Sequence, residues 1–176
     1  MSPDVQAHRN PHLSGYALGL LLTAFLVALL AFSPRAEAME PEAKVVYHAD
    51  FADPRRFSAM LTSINNMMTH YQNEFMDVDV RIVFVAHGIR FLTDDDLVDT
   101  PFEADAELQE ERDTLRGRLM SLVSTHGVKL ELCEITRSQI GLDQADVYDH
   151  VEFIPSGVVR IAELQNEHDF AYIKIE

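Results

Sequence analysis

KVVYHADFADPRRFSAMLTSINNMMTHY, residues 44–71, is the stretch that decides the fold class of this chain. It opens with KVVYHA over 44–49, a mostly apolar segment with two valines and a tyrosine that is typical of a buried strand. Asp53 and Pro54 then supply a helix N-cap and a first helical residue. Apolar side chains at steps of three and four predict a helix with one buried face, formed by Phe57, Met60, Leu61, Ile64, Met67, Met68, Tyr71 and Phe75.

The same alternation of strand and helix continues to the end of the chain. A helix over 105–126 is predicted to end at Gly127, EITRSQIGL is a short helix or turn, and Ser156 is the N-cap of a last helix. Right-handed connections between parallel strands place helices on both faces of a sheet. The sequence therefore predicts a three-layer α/β/α sandwich with a mostly parallel five-stranded sheet. Its other strands are predicted at 79–88, 128–133, 151–155 and 170–175.

Residues 1–38 are predicted to be a signal peptide that precedes a single domain at 39–176. GYALGLLLTAFLVALLAF, residues 15–32, is a continuous apolar run, and Ala36-Glu37-Ala38 has the small-x-small pattern of a cleavage site. The run is also long enough to span a bilayer, so an uncleaved membrane anchor is the alternative. Either interpretation predicts export, most simply to a bacterial periplasm.

The charge of the chain narrows the choice of partners. It carries 29 acidic and 14 basic residues, a formal net charge of −15. Such a surface repels phosphate backbones and anionic lipid, so nucleic acid is not expected as a partner, and membrane contact is expected only if the leader is retained. With a single cysteine, Cys133, the chain cannot form an internal disulfide.

Candidate functional residues follow the predicted strands. In parallel sheets the ligand crevice lies beyond the carboxyl ends of the strands. His48, His87, Cys133 and the Ser156-Gly157 pair are all expected at that edge. Cys133 is either a small buried side chain or a reactive thiol.

Charged and polar neighbours in the sequence have opposite effects on that thiol. N–H groups at the start of EITRSQ would stabilise a thiolate, and so would Arg137 if it folds back. Glu131 and Glu134 would raise the thiol pKa. No cofactor is expected, although His48, His87 and Cys133 together would also suit copper, zinc or haem.

Four segments, taken in order, resemble the DsrE/DsrF-like family of sulfur-relay proteins. They are the strand and Asn-bearing helix of 44–71, DVRIVFVAHGIRFL with its His-Gly pair, GVKLELCEIT, and FIPSGVVRIAELQNEHDFAYIKI. The resemblance covers about residues 44–176. It implies a compact α/β domain that assembles into homotrimers or homohexamers.

The resemblance also implies roles for individual residues. Cys133 would be the thiol that carries a persulfide between a donor and an acceptor protein, with His87 and Gly88 lining the same crevice. Asn65 and Asn66 match the asparagines of the family's first helix, where helix packing is an equal alternative.

We therefore predict a periplasmic sulfur carrier or sulfur-oxidation accessory protein. We expect it to act stoichiometrically rather than as an enzyme with turnover. The alternatives are a metal- or haem-binding protein, and a non-catalytic oligomeric assembly module with an acidic docking surface.

Overall fold

The computed structural model describes residues 40–176, so the predicted leader lies outside the described residues. Five strands and four α-helices alternate along this part of the chain. The strands are β1 (Ala43–Ala49), β2 (Val78–Phe84), β3 (Lys129–Cys133), β4 (Val151–Ile154) and β5 (Ala171–Ile173). The helices are α1 (Pro54–Asn73), α2 (Ala106–His126), α3 (Glu134–Gln139) and α4 (Gly157–Glu167). Short 3-10 helices cover Ala86–Phe91 and Gln144–Asp146.

All five strands are parallel and form one sheet in the order β4-β3-β2-β1-β5. The chain steps in one direction from β1 to β4, and then returns through α4 to β5 at the opposite edge. Because such crossovers are right-handed, reversing the direction moves the helix to the other face. This confirms the predicted α/β fold with a five-stranded parallel sheet.

The two faces of the sheet have cores of different size. Helices α1 and α2 cover one face, where side chains such as Phe57, Leu119 and Ile82 form the larger core. On the other face α4 packs through Ile161 and Leu164 onto Val46 and other buried side chains of the strands. Residues two apart on a strand point to the same face, so this alternation determines which strand residues α4 covers.

Several predicted helix ends are confirmed, because the capping residues act as their chemistry requires. The Asp53 carboxylate accepts the N–H groups of Arg55 and Arg56 at 2.8 and 3.2 Å. Gly127 ends α2 with a φ of 69°, and its N–H donates to the carbonyl of Val123. Ser156 precedes α4 as predicted, but its side chain makes no capping hydrogen bond.

The ends of several elements differ from the prediction. The second strand ends at Phe84 rather than at residue 88, because Ala86 has a φ of 49° and starts a 3-10 helix. Helix α1 ends at Asn73, so Phe75 lies outside its apolar face and is 96% exposed. The strands predicted at 151–155 and 170–175 are shorter, since they pair only over Val151–Ile154 and Ala171–Ile173.

Candidate functional site

Cys133 is the last residue of β3 and at the same time the N-cap of α3. An N-cap side chain lies over the N–H groups of the second and third helical residues, a position usually taken by an oxygen acceptor. Here those residues are Ile135 and Thr136, whose N–H groups lie near the sulfur, although the Cys133 side chain makes no capping hydrogen bond of normal geometry. The end of the strand and the start of the helix therefore aim backbone dipoles at the thiol.

A second helix adds a donor from the other side. Gly157, the first residue of α4, lies against Cys133, and its N–H also faces the sulfur. A Cβ atom at position 157 would stand 2.5 Å from Val85 Cγ2 and 3.2 Å from Cys133 Cβ. Only glycine lets the helix start this close to the strand end.

Thr136 completes the set of donors. Its hydroxyl oxygen accepts the N–H of Ala86 at 3.0 Å, which leaves the hydroxyl proton free to point at the sulfur. Thr136 is 4% exposed, so its hydroxyl has little competition from water.

These donors affect the acidity of the thiol. Burial alone would raise the pKa of Cys133, but hydrogen bonding from the N–H of Gly157, from the N–H and hydroxyl of Thr136 and from the N–H of Ile135 outweighs it. The net effect is a lowered pKa, which increases the thiolate fraction at neutral pH.

The charged residues near Cys133 in the sequence are paired with one another. Glu131 accepts hydrogen bonds from Arg81 and Arg160 at 2.8–3.0 Å. Arg137 donates to Glu134 at 2.9 Å and to the carbonyl of Leu142, rather than folding back on the sulfur. Each of these carboxylates is therefore paired with a guanidinium group.

The thiol lies just below the surface. Cys133 is 4% exposed, whereas two apolar neighbours on the first turns of α3 and α4 face solvent: Ile135 is 50% exposed and Val158 is 61% exposed. Pro155, which follows β4, is exposed as well. The buried sulfur therefore belongs to a part of the molecule where the starts of α3 and α4 expose apolar side chains to solvent.

His48 shares a sheet face with Cys133 but does not touch it. The two residues are two strands apart, because His48 pairs with Val83, which pairs with Glu131, two residues before Cys133. Strand spacing and rise place their Cα atoms roughly 12 Å apart. The His48 ring instead contacts the Tyr172 hydroxyl at 3.1 Å, while its Nε2 is buried without a hydrogen-bond partner.

His87 and Gly88 lie in the 3-10 helix after β2. The ring of His87 packs edge-on against Phe102, 5.2 Å between centroids, and Phe102 belongs to the core of the α1 and α2 face. Gly88 approaches the backbone so closely that a Cβ would meet the carbonyl oxygen of Ala49 at 2.1 Å. Within residues 40–176, no group of three or more His, Cys, Asp or Glu side chains is arranged to hold a metal ion.

Comparison with known proteins agrees with this architecture. The model of the DsrE/DsrF-like family matches residues 35–174. The chain belongs to the DsrE/DsrF-like family. None of the curated proteins searched matches it.

Solved structures share the fold of this DsrE/DsrF-like protein. The protein of unknown function MTH1491 from Methanobacterium thermoautotrophicum is 22% identical, with a TM-score of 0.58, and the match covers 76% of this chain and 99% of that one. The ychN protein from E. coli is 16% identical, with a TM-score of 0.50 and the same coverage. At these identities the likeness concerns the fold alone.

The residues singled out from the sequence of this DsrE/DsrF-like chain are only partly brought together. Cys133 and Gly157 are in contact. Asn65 and Asn66 are exposed on α1, which covers the opposite face of the sheet, and Asn65 contacts His126 of α2 at 3.3 Å. Asn65 therefore links α1 to α2, and both asparagines lie on the helix that covers the face of the sheet opposite the thiol.

Sequence reasoning missed Thr136 and the Glu131–Arg160 pair. The position of Thr136 was detectable, because the third residue of a helix commonly interacts with the N-cap side chain. Arg160 was not detectable, since its approach to Glu131 depends on where α4 crosses the sheet.

Proposed function

We propose that this protein is an exported sulfur carrier in which Cys133 holds sulfur as a persulfide. The observation that carries the proposal is the position of Cys133 at the N-cap of α3 and against Gly157 at the start of α4, which brings N–H donors of two helices and the Thr136 hydroxyl near the sulfur. Such donors stabilise the thiolate, which is the nucleophilic form of cysteine. They would equally stabilise the anionic terminal sulfur of a persulfide if it occupied the same place.

The chemical step is an exchange between sulfur atoms. The Cys133 thiolate attacks one sulfur of an inorganic polysulfide or of a donor protein's persulfide. A new S–S bond forms at Cys133, the S–S bond of the donor breaks, and the shortened donor leaves with the electron pair. The reverse exchange with an acceptor thiolate regenerates the Cys133 thiolate, so no external oxidant or reductant is needed.

Intact-protein mass spectrometry after incubation with polysulfide tests the proposal. We expect mass increases of whole sulfur atoms on the wild-type protein, reversed by a thiol reductant and missing from Cys133→Ser. The serine variant keeps the size and the N-cap acceptor, so it separates the chemistry from the fold. A wild-type protein that gains no sulfur would refute the carrier proposal.

A non-catalytic assembly module is the second candidate, favoured by the 4% exposure of Cys133. In that case Cys133 would be a packing residue. The Cys133→Ser protein would then bind its partners normally, and native wild-type protein would resist thiol labelling. Rapid labelling under native conditions would exclude this alternative.

We also propose self-assembly into a homotrimer or homohexamer. Val158 and Val159 on α4, Ile135 on α3 and Tyr172 on β5 are apolar or aromatic side chains exposed on the described domain, and burying them would favour association. Sedimentation analysis should give a mass of three or six chains, and a monomer at micromolar concentration would contradict this.

Export is proposed from the leader sequence at 1–38, which lies outside the described residues. Among residues 40–176 no helix is long and apolar enough to cross a membrane. Cell fractionation with an antibody to the domain should find it in the periplasm, soluble if the leader is cleaved and membrane-bound if it is retained. Recovery from the cytoplasm would contradict the proposal.

A further inference from the structure

The most buried charge on the α4 face of the sheet is the carboxylate of Glu131, which is 0% exposed. Arg160 of α4 binds it through two atoms, Nε to Oε2 at 2.9 Å and Nη2 to Oε1 at 3.0 Å. Arg81 of β2 donates to the same Oε1 at 2.8 Å. A carboxylate that strand β3 contributes is thus held by guanidinium groups from its neighbouring strand and from the helix above.

Stability alone does not account for a pair in this position. Removing two charges from water costs several kcal/mol, and buried ion pairs can often be replaced by apolar side chains without loss of stability. Their better-supported role is to define one register between elements. A two-point guanidinium–carboxylate bond is suited to this, because it restricts direction as well as distance.

The position of α4 on the sheet matters because Gly157, one turn before Arg160, lies against Cys133. Arg160 is three residues after Gly157, and Glu131 is two residues before Cys133 on the same face of β3. The ion pair therefore ties the first turn of α4 to the strand next to the thiol. Gly157 has almost no free space there, since a Cβ would meet Val85, Cys133 and Val83 at 2.5–3.3 Å. A small rotation or shift of α4 would move the N–H of Gly157 away from the sulfur and expose the sulfur to solvent.

We infer that Arg160 and Glu131 are positioning residues, which hold the first turn of α4 over the thiol of Cys133. Both act through Gly157, and neither touches the sulfur. The inference rests on the proposed function only in taking this thiol as the reacting group. Glu134, the charged residue next to Cys133 in the chain, is already paired with Arg137, and Arg81, which shares Glu131, also binds Asp79.

The test is the pH dependence of Cys133 alkylation by iodoacetamide, followed by mass spectrometry on the native full-length protein. Arg160→Lys keeps the charge but loses the two-point bond. Withdrawal of the Gly157 N–H would move the midpoint of the rate profile to higher pH, whereas the accompanying loss of burial would move it to lower pH, so the plateau rate is the deciding readout. We expect the plateau rate of alkylation at high pH to rise roughly threefold or more, because the sulfur becomes more exposed to the reagent.

Arg118→Lys is the matched control. Arg118 also makes several hydrogen bonds, to Ser58 and Thr62 at 2.5–2.9 Å, but it joins α2 to α1 on the other side of the sheet. The Arg118→Lys substitution should lower the unfolding temperature without changing the alkylation profile of Cys133. A change as large as that of Arg160→Lys would show a general loss of rigidity and overturn the inference.

Arg160→Gln removes the charge and separates position from electrostatics. A positioning role predicts that Lys and Gln at position 160 change the profile in the same direction. A wild-type profile for Arg160→Lys overturns the inference, whatever Arg160→Gln does. Should Arg160→Gln fail to fold, circular dichroism shows it, and Arg160→Lys against Arg118→Lys still decides.

Alkylation requires no sulfur transfer, so this experiment is independent of the carrier test. A protein that gains no sulfur from polysulfide, yet shows the raised plateau rate in Arg160→Lys, refutes the carrier function and leaves the positioning role in place. A protein that gains sulfur from polysulfide, yet shows a wild-type alkylation profile in Arg160→Lys, refutes the positioning role and leaves the carrier function in place.

Discussion

Gly157 and Cys133 pack against each other so tightly that a methyl group on Gly157 would lie 3.2 Å from Cys133 Cβ. The contact joins the N-terminus of an 11-residue helix to the end of a central strand. The contact explains why Gly157, which follows β4, belongs to the environment of Cys133, which ends β3.

Gly157→Ala should disturb this contact directly. The added methyl group would stand 2.5 Å from Val85 Cγ2, so α4 or Val85 must move. Overpacking of this kind costs about 1–3 kcal/mol in the free energy of unfolding. We expect that loss in urea denaturation, together with faster alkylation of Cys133.

Gly117→Ala is the control for Gly157→Ala, since nothing lies within 4 Å of its added methyl group in the middle of α2. Alanine should there increase the unfolding free energy by about 0.5–1 kcal/mol and leave the thiol unchanged. Equal effects of the two substitutions would show that the Gly157 contact is not as close as described.

Thr136→Val should remove the hydroxyl donor while keeping the shape of the side chain. A net hydrogen bond is worth about 1 kcal/mol, which corresponds to roughly a fivefold decrease in the thiolate fraction below the thiol pKa. The rate of iodoacetamide alkylation at constant pH measures this fraction.

Thr136→Ser separates the hydroxyl from the methyl group. Serine retains the donor and should restore most of the wild-type alkylation rate. If serine and valine behave alike, the hydroxyl has no part in activating Cys133.

Gly88→Ala should destabilise the end of β2. Its methyl group would stand 2.1 Å from the carbonyl oxygen of Ala49, and backbone atoms of β1 cannot move as a flexible side chain does. We expect the unfolding free energy to fall by about 1–3 kcal/mol in urea denaturation. Wild-type stability would mean that this close approach does not exist in solution.

His48 makes the stability depend on pH. Burial lowers the pKa of His48 below 6.5, Lys174 and Arg56 lower it further, and Asp50 opposes them. As pH falls below about 6.5, the unfolded chain binds a proton that the folded protein does not, so the unfolding free energy decreases.

His48→Gln tests this, because an amide can still hydrogen-bond to Tyr172 but does not titrate. The loss of stability between about pH 7.5 and about pH 5.5 should be smaller in His48→Gln than in the wild type. Identical losses in the two proteins would assign the pH dependence to other groups.

The elements of this fold are well predicted from local sequence. Asp53-Pro54 starts α1 and Gly127 ends α2, because caps and left-handed stops act within a few residues. The predicted end of the second strand was wrong, because the backbone there interacts with a distant group. The N–H of Ala86 donates to the hydroxyl oxygen of Thr136, fifty residues later. The strand order was equally out of reach, since it depends on which edges pair.

The amino-acid sequence by itself therefore determined the alternating elements, the single thiol at the end of the third strand and the family. Tertiary structure decided which groups from distant segments surround that thiol. Local sequence specifies only the N–H groups within one turn of Cys133, those of Ile135 and Thr136. Gly157 and Arg160 approach Cys133 and Glu131 only because α4 packs across the sheet. The right-handed return of the chain to β5 places that helix over the sulfur, and no pattern within a short segment encodes it.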